Sequence, residues 1–254
     1  MIWGTFGIVH ISSLMIALVA CVGIFFLLKM MGEKARYITL FILSLAGISA
    51  IIFNLVTWGS PLEYLPLHMC SITAILLPIV VLSRNSVIGN ILLVWSLGAV
   101  LAIVFNNAQA NYEILSSTFF FYFIPHVLEC AVTIYLFVFK YIKLKEKYIP
   151  STLAITAGIY TFVHLCNLLI NYCCEANTIL DSAGEIIKVN YMYSLHPTVP
   201  LMEFMWNIIP HAYWYMYIGI VIIAVYLGGI FGIKWLIKKT TSNKQNAEKA
   251  NDCQ

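Results

Sequence analysis

Charge is the scarcest commodity in this sequence. Of 254 residues, 14 are Lys or Arg and 11 are Asp or Glu, 10% in all, where a soluble domain carries roughly 25%. So few charges do not cover a protein of this length in water, and that excludes a soluble globular protein. A formal net charge of +3 is too small for a nucleic-acid binder. No lysine lies in the middle of a long apolar stretch, which excludes a retinal Schiff base. HExxH and HxxxH spacings are both missing, and no internal repeat is visible. A disulfide framework is also lacking: of seven cysteines, Cys21, Cys70, Cys130 and Cys166 lie in apolar stretches and Cys253 near the end. Cys173 and Cys174 are adjacent and rarely bridge. Leu18-Val19-Ala20-Cys21 has the look of a lipobox, but no positive segment precedes it and the apolar run continues to Lys29, so a permanent span is expected.

What the chain has is hydrophobicity, 61% of its residues. A spanning helix needs about 20 mainly apolar residues, and stretches near 6–28, 37–57, 66–82, 87–105, 118–139, 151–172 and 213–237 qualify. The fold expected is all-α: a seven-helix transmembrane domain over 1–239, an outer loop over 173–212 and a polar cytoplasmic tail over 240–254. Pro78 and Pro125 are expected to kink their helices. Lys29, Lys34, Arg36, Arg84, Lys140, Lys143, Lys145, Lys147, Lys234, Lys238, Lys239, Lys244 and Lys249 fall on one side, and only Lys188 on the other. Cytoplasmic loops retain positive charge, so the N-terminus is expected outside and the C-terminus inside, in a multi-pass protein of the cell membrane.

Polar residues inside spans are costly and usually mark a partner or a pathway. At 1.5 Å per residue, His126 and His164 both lie about 12 Å below the outer boundary. His68, Asn54, Asn106 and Asn107 lie near it, and His10 lies one turn into the first span. His126, Glu129 and Thr133 share one helical face, and His164, Asn167 and Asn171 share another. Glu129 is the one carboxylate deep in a span, where its charge needs a strong partner. The bland alternative is that these groups satisfy one another as interhelical glue.

The segments Tyr64-Leu65-Pro66-Leu67-His68-Met69-Cys70, Val189-Asn190-Tyr191-Met192-Tyr193 with His196-Pro197, Phe6-Gly7-Ile8-Val9-His10 and Pro125-His126-Val127-Leu128 resemble the YwaF family of seven-span bacterial membrane proteins. That family is distantly similar to eukaryotic transmembrane lipid enzymes, an acyltransferase of ether phospholipids and the androgen-induced hydrolases of fatty-acid esters. The resemblance implies an intramembrane histidine, carried over to His126, working with a Cys or Thr nucleophile. An Asn-Pro-Cys-His motif aligned on Pro66 and His68 puts Leu67 in the nucleophile column. Cys70, three positions on and on about the same face, is the substitute, with Ser71 and Thr73 behind it.

Three functions remain open. The first is an intramembrane lipid acyltransferase or ester hydrolase, with His126 as base oriented by Glu129, Cys70 as nucleophile and His68 beside it. His164, Asn167, Asn54, Asn107 and Tyr191 would bind its substrate, a membrane lipid ester, with neither metal nor cofactor required. The second is a transporter or binding protein for a small solute or lipid headgroup. The third is a zinc hydrolase using His68, His126, His164 and Glu129. The outer loop from Cys173 to Ala212, with its apolar run from Leu201 to Ile209 and Tyr191, Tyr193 and Trp206, is expected to fold over the outer mouth as a lid.

Overall fold

A computed structural model describes the backbone of residues 1–106 and 109–251, with side chains as far as residue 240. Among these residues the chain is helical, and strand pairing is confined to the isolated bridges Ile2 to Glu113 and Leu180 to Ile186. Nine α-helices follow in order: α1 Ile8–Met30, α2 Glu33–Ser44, α3 Ala46–Thr57, α4 Met69–Ser83, α5 Ser86–Val104, α6 Ser117–Val138, α7 Ile149–Ala176, α8 Pro200–Ile208 and α9 Tyr217–Asn251.

Six stretches are long and apolar enough to cross a membrane: α1, α2 with α3, α5, α6, α7 and the start of α9. The seventh, expected from Pro66, is different. Its helix begins only at Met69 and has 15 residues, about 22 Å against a hydrocarbon core of about 30 Å. The three residues before the helix, Pro66 and Leu67 in a turn and His68 in a bend, stay out of it because other chain segments hold this region. The Tyr191 hydroxyl accepts from the Leu65 N–H at 3.1 Å, and His68 Nδ1 accepts from the Met192 N–H at 3.4 Å. The second expected span is broken at Leu45, where Ser44 donates to the Phe41 carbonyl and Ser49 to that of Ala46. Serine hydroxyls that bond their own helix in this way bend it. Pro78 and Pro125 both lie inside helices that continue past them.

Local chemistry explains the helix ends. Arg84 closes α4 in the left-handed region at φ 52, and the Asn85 side chain then caps α5 by accepting from the N–H groups of Val87 and Ile88. Two residues therefore reverse the chain. Ser116 caps α6 in the same manner, accepting from Phe119. The centre of the bundle is α5 and α6, half buried along their apolar windows, while α1 is almost wholly exposed. A core of Leu40, Leu77, Val81, Leu92, Val132 and Leu136 joins α2, α4, α5 and α6.

The connection expected as a loop over 173–212 carries structure. Helix α7 continues to Ala176, a tight turn pairs Ile187 with Ile179, and α8 adds a short amphipathic helix. Tyr160, Val163, Ile187, Val189, Tyr191 and Met192 form a second core that ties this connection to α7, with Leu65 and Leu67 packed on it. The backbone of α9 stays helical through 240–251, where a tail was expected.

Candidate functional site

Helix α6 carries the first polar stripe. Helix α6 packs on α4 and α5, and Pro125, His126 and Glu129 are buried on it. His126 Nδ1 lies 2.6 Å from the Tyr122 carbonyl one turn earlier. A carbonyl only accepts, so Nδ1 carries the proton and Nε2 keeps its lone pair. The ring is thus oriented by its own helix, with the Tyr122 ring 4.4 Å away, whereas Glu129 had been expected to orient it. Tyr122 is itself fixed by donating to the Ala102 carbonyl of α5 at 2.9 Å. Thr133 donates to the Glu129 carbonyl at 2.7 Å, which uses up the third member of the stripe within α6.

Glu129 is the most conspicuous group of this cluster. It is 3% exposed, and its Oε2 has no hydrogen-bond partner, as is true of Thr73 Oγ1 on α4. Leaving such an atom unmade costs of order 1–3 kcal/mol. Gly47 of α3 makes room for it. A Cβ there would collide with the Ala74 side chain and stand 3.3 Å from Glu129 Oε1. Glu129 is within charge reach of both His126 and Cys70 where α4 meets α6, and Tyr122 and Tyr193 are within reach of Cys70; no hydrogen bond among the described residues joins the thiol to the imidazole. Tyr122 and Tyr193 were not singled out from sequence. Tyr122 was readable there, since it shares the face of His126 four residues on.

Helix α7 carries the second stripe, and its polar groups are spent differently. The Asn167 side chain accepts from the Tyr191 N–H at 2.9 Å and donates to the Tyr191 carbonyl at 2.7 Å. Asn171 does the same to Val189, at 2.7 and 2.9 Å. Four helical residues advance about 6.0 Å and two extended residues about 6.6 Å, so the two amides fall in register with alternate residues of the segment over 189–194, a strap laid along α7. His164 Nδ1 pairs with Ser194 Oγ at 3.0 Å, and Asn167 donates to the same hydroxyl at 2.8 Å. The strap turns sharply here, with Met192 and Tyr193 both at positive φ, 50 and 54. Two left-handed residues in sequence are strained, and these amides together with the Tyr215 hydroxyl on the Tyr193 carbonyl hold them.

The two stripes do not face each other. Helix α6 packs on α2, α3, α4 and α5, whereas α7 packs on α5, α9 and the 191–193 turn. His164 and Asn167 therefore serve the strap, and the expected convergence of His164 with His126 is not formed. Among the described residues no three His, Cys, Asp or Glu side chains are placed to hold a metal ion, so the four-ligand zinc set is not assembled. Asn54 accepts from the Trp58 indole at 3.3 Å, away from the cluster. Asn107 lies outside the described residues. His10 is fully buried, accepting from the Phe6 N–H and bonding the Ile103 carbonyl at 2.8 Å, and so is structural.

Two cavities flank the cluster. A polar one of about 280 Å³ is walled by Glu63, Tyr64, His68, Lys188, Tyr193 and His196 among others. An apolar one of about 680 Å³ runs between α1 and α6, past Ala17, Cys21, Phe119, Phe123, Val127 and Leu128. Burial pushes the Tyr191 hydroxyl behind the polar cavity up to about 12; it donates to the Leu62 carbonyl.

No curated protein and no solved structure matches the chain. A protein-family model does, over residues 5–235, which takes in both stripes, the strap and every helix from α1 into α9. The chain belongs to the TMEM164 family.

Proposed function

We propose that this membrane protein is an intramembrane lipid acyltransferase or ester hydrolase, with its polar site in the outer half of the bilayer. The observation that carries the reading is the free Nε2 lone pair of His126, set by the Tyr122 carbonyl, in the same neighbourhood as a thiol and a carboxyl oxygen without a partner. In this scheme Nε2 takes the Cys70 proton as sulfur attacks the ester carbonyl. The C–O bond of the ester breaks, and the imidazolium returns the proton to the leaving alcohol. Water or an acceptor hydroxyl then cleaves the thioester. Glu129 offsets the imidazolium charge, and Tyr193 is the donor assigned to the developing oxyanion. The groove between α1 and α6 suits an acyl chain arriving sideways from lipid. The resemblance of the Leu-Pro-Leu-His-Met-Cys and Asn-Tyr-Met-Tyr segments to YwaF proteins agrees with this reading.

The reading includes seven spans, N-terminus out and C-terminus in, in the cell membrane. Residues 65–68 turn ahead of α4, and non-helical backbone is tolerated within a membrane where protein buries it. A reporter fused after Gln254 should be cytoplasmic and one inserted at Asp181 extracytoplasmic; the reverse pattern overturns the orientation.

The test is release of fatty acid from a phospholipid ester by the purified protein in nanodiscs. Cys70→Ser with a large loss assigns the attack to the thiol, and retained turnover assigns it to activated water. If His126→Ala leaves turnover intact and abolishes solute uptake instead, the transporter reading, which the polar cavity favours, takes its place.

A further inference from the structure

Helix α8 has three sides. At about 100° per residue, Met202, Met205 and Trp206 share one side, Glu203 and Asn207 a second, and Leu201, Phe204 and Ile208 a third. The first side belongs to the protein: α8 packs on the 214–216 turn that leads into α9, Met205 is buried, and the Trp206 ring meets the buried Tyr215 ring edge-on at 5.2 Å. The second side is polar and exposed. The third is apolar and open, with Leu201, Phe204 and Ile208 exposed at 50%, 61% and 56%.

A helix of nine residues is too short to stand by itself in water, and no side chain caps its N-terminus. One packed side does little to hold it while three large apolar side chains stay wet. Its place in the fold says what covers them. Helix α8 is attached at the start of Trp214–Thr240, a stretch long and apolar enough to cross a membrane. Trp214 at that start, and Val221, Ile222 and Val225 within the stretch, are exposed apolar residues, as lipid-facing residues of a span are. Sides that are apolar, polar and packed on protein, each about a third of a turn from the next, are all satisfied only where lipid, water and protein meet. That place is the membrane boundary. Helix α8 carries no Lys or Arg, so its hold on lipid is apolar burial rather than attraction to anionic headgroups.

We infer that α8 is an interfacial helix, with Leu201, Phe204 and Ile208 buried among the acyl chains of the leaflet at which α9 begins. On the orientation proposed above, this is the outer leaflet. The consequence is mechanical. Trp206 touches Tyr215, the Tyr215 hydroxyl donates to the Tyr193 carbonyl, and Tyr193 lies in the strained turn of the strap. Helix α8 is thereby a membrane-held brace for that turn, which walls the polar cavity.

The experiment is photolabelling of the full chain in nanodiscs of a phosphatidylcholine that carries a diazirine on the upper part of its acyl chain, with adducts located by peptide mass spectrometry. It reads out independently of orientation and of ester cleavage. Adducts should fall on Leu201, Phe204 and Ile208 as they do on Val221, Ile222 and Val225 of α9, the internal standard, and at least tenfold less on Glu203 and Asn207. Labelled α9 with bare α8 overturns the inference, and a dimer that Phe204→Ser splits would then give this side to a second copy. For the brace, Leu201→Ser combined with Phe204→Ser should speed hydrogen exchange of the Tyr193 and Ser194 amides in nanodiscs by roughly tenfold or more. Unchanged exchange in α5 and α6 shows that the bundle of this variant is folded. Equal exchange of Tyr193 and Ser194 in variant and parent overturns the brace.

Discussion

The polar stripes of α6 and α7 look alike in sequence and differ in what they leave unspent. On α7 the amides of Asn167 and Asn171 and the His164 ring all reach the strap over 189–194. On α6 His126 keeps a lone pair, and Glu129 keeps a buried oxygen without a partner. A saturated stripe is architecture. An unsaturated one is where chemistry is expected, because buried polar atoms are otherwise paired.

The comparison breaks most sharply at its two histidines. His126→Ala should lower ester turnover by about 10²–10⁴-fold with little change in melting temperature, whereas His164→Ala should leave turnover nearly intact. The lipid-release assay on both variants checks this, and equal losses would erase the distinction. Next in size, Asn167→Leu strands the Tyr191 N–H and carbonyl and should cost about 3 kcal/mol, read as a fall in melting temperature and as protease cleavage within the strap. Asn171→Ala, at a half-buried position, should cost about 1 kcal/mol by the same reasoning. Reversal of that order would show that the register argument fails.

The last effect is with pH and is confined to alkaline solution. Burial raises the Tyr191 hydroxyl to about 12 in the fold, against about 10 when unfolded. Ionisation is the unfavourable state in the fold, so the contribution is complete below about pH 10 and is lost as pH rises toward 12. Tyr191→Phe should flatten that part of the stability profile in an alkaline unfolding series.

Much of this was legible beforehand. Six of the seven expected apolar stretches and the membrane class followed from length and hydropathy, and helical spacing put His126, Glu129 and Thr133 on one face of α6. What was not legible depended on distant partners. Asn167 meets Tyr191 across 24 residues, and no periodicity on α7 announces that a strap will return to saturate it. The late start of α4 at Met69 has the same origin, since Leu65 and His68 answer to Tyr191 and Met192. The break at Leu45 was within reach of the sequence, through Ser44, Gly47 and Ser49 clustered in an otherwise apolar run.

The two-residue reversal at Arg84 and Asn85 bears on how the protein is made. Helix α4 is short, contains a proline and carries Cys70 in its first turn, so on the seven-span reading it is a poor candidate to insert by itself. The reversal leaves it no slack to wait: α4 and α5 must enter the bilayer as one hairpin, with the longer helix carrying the shorter across. A nascent chain halted just after Asn85 should leave Cys70 open to a membrane-impermeant thiol reagent, and one extended through α5 should hide it.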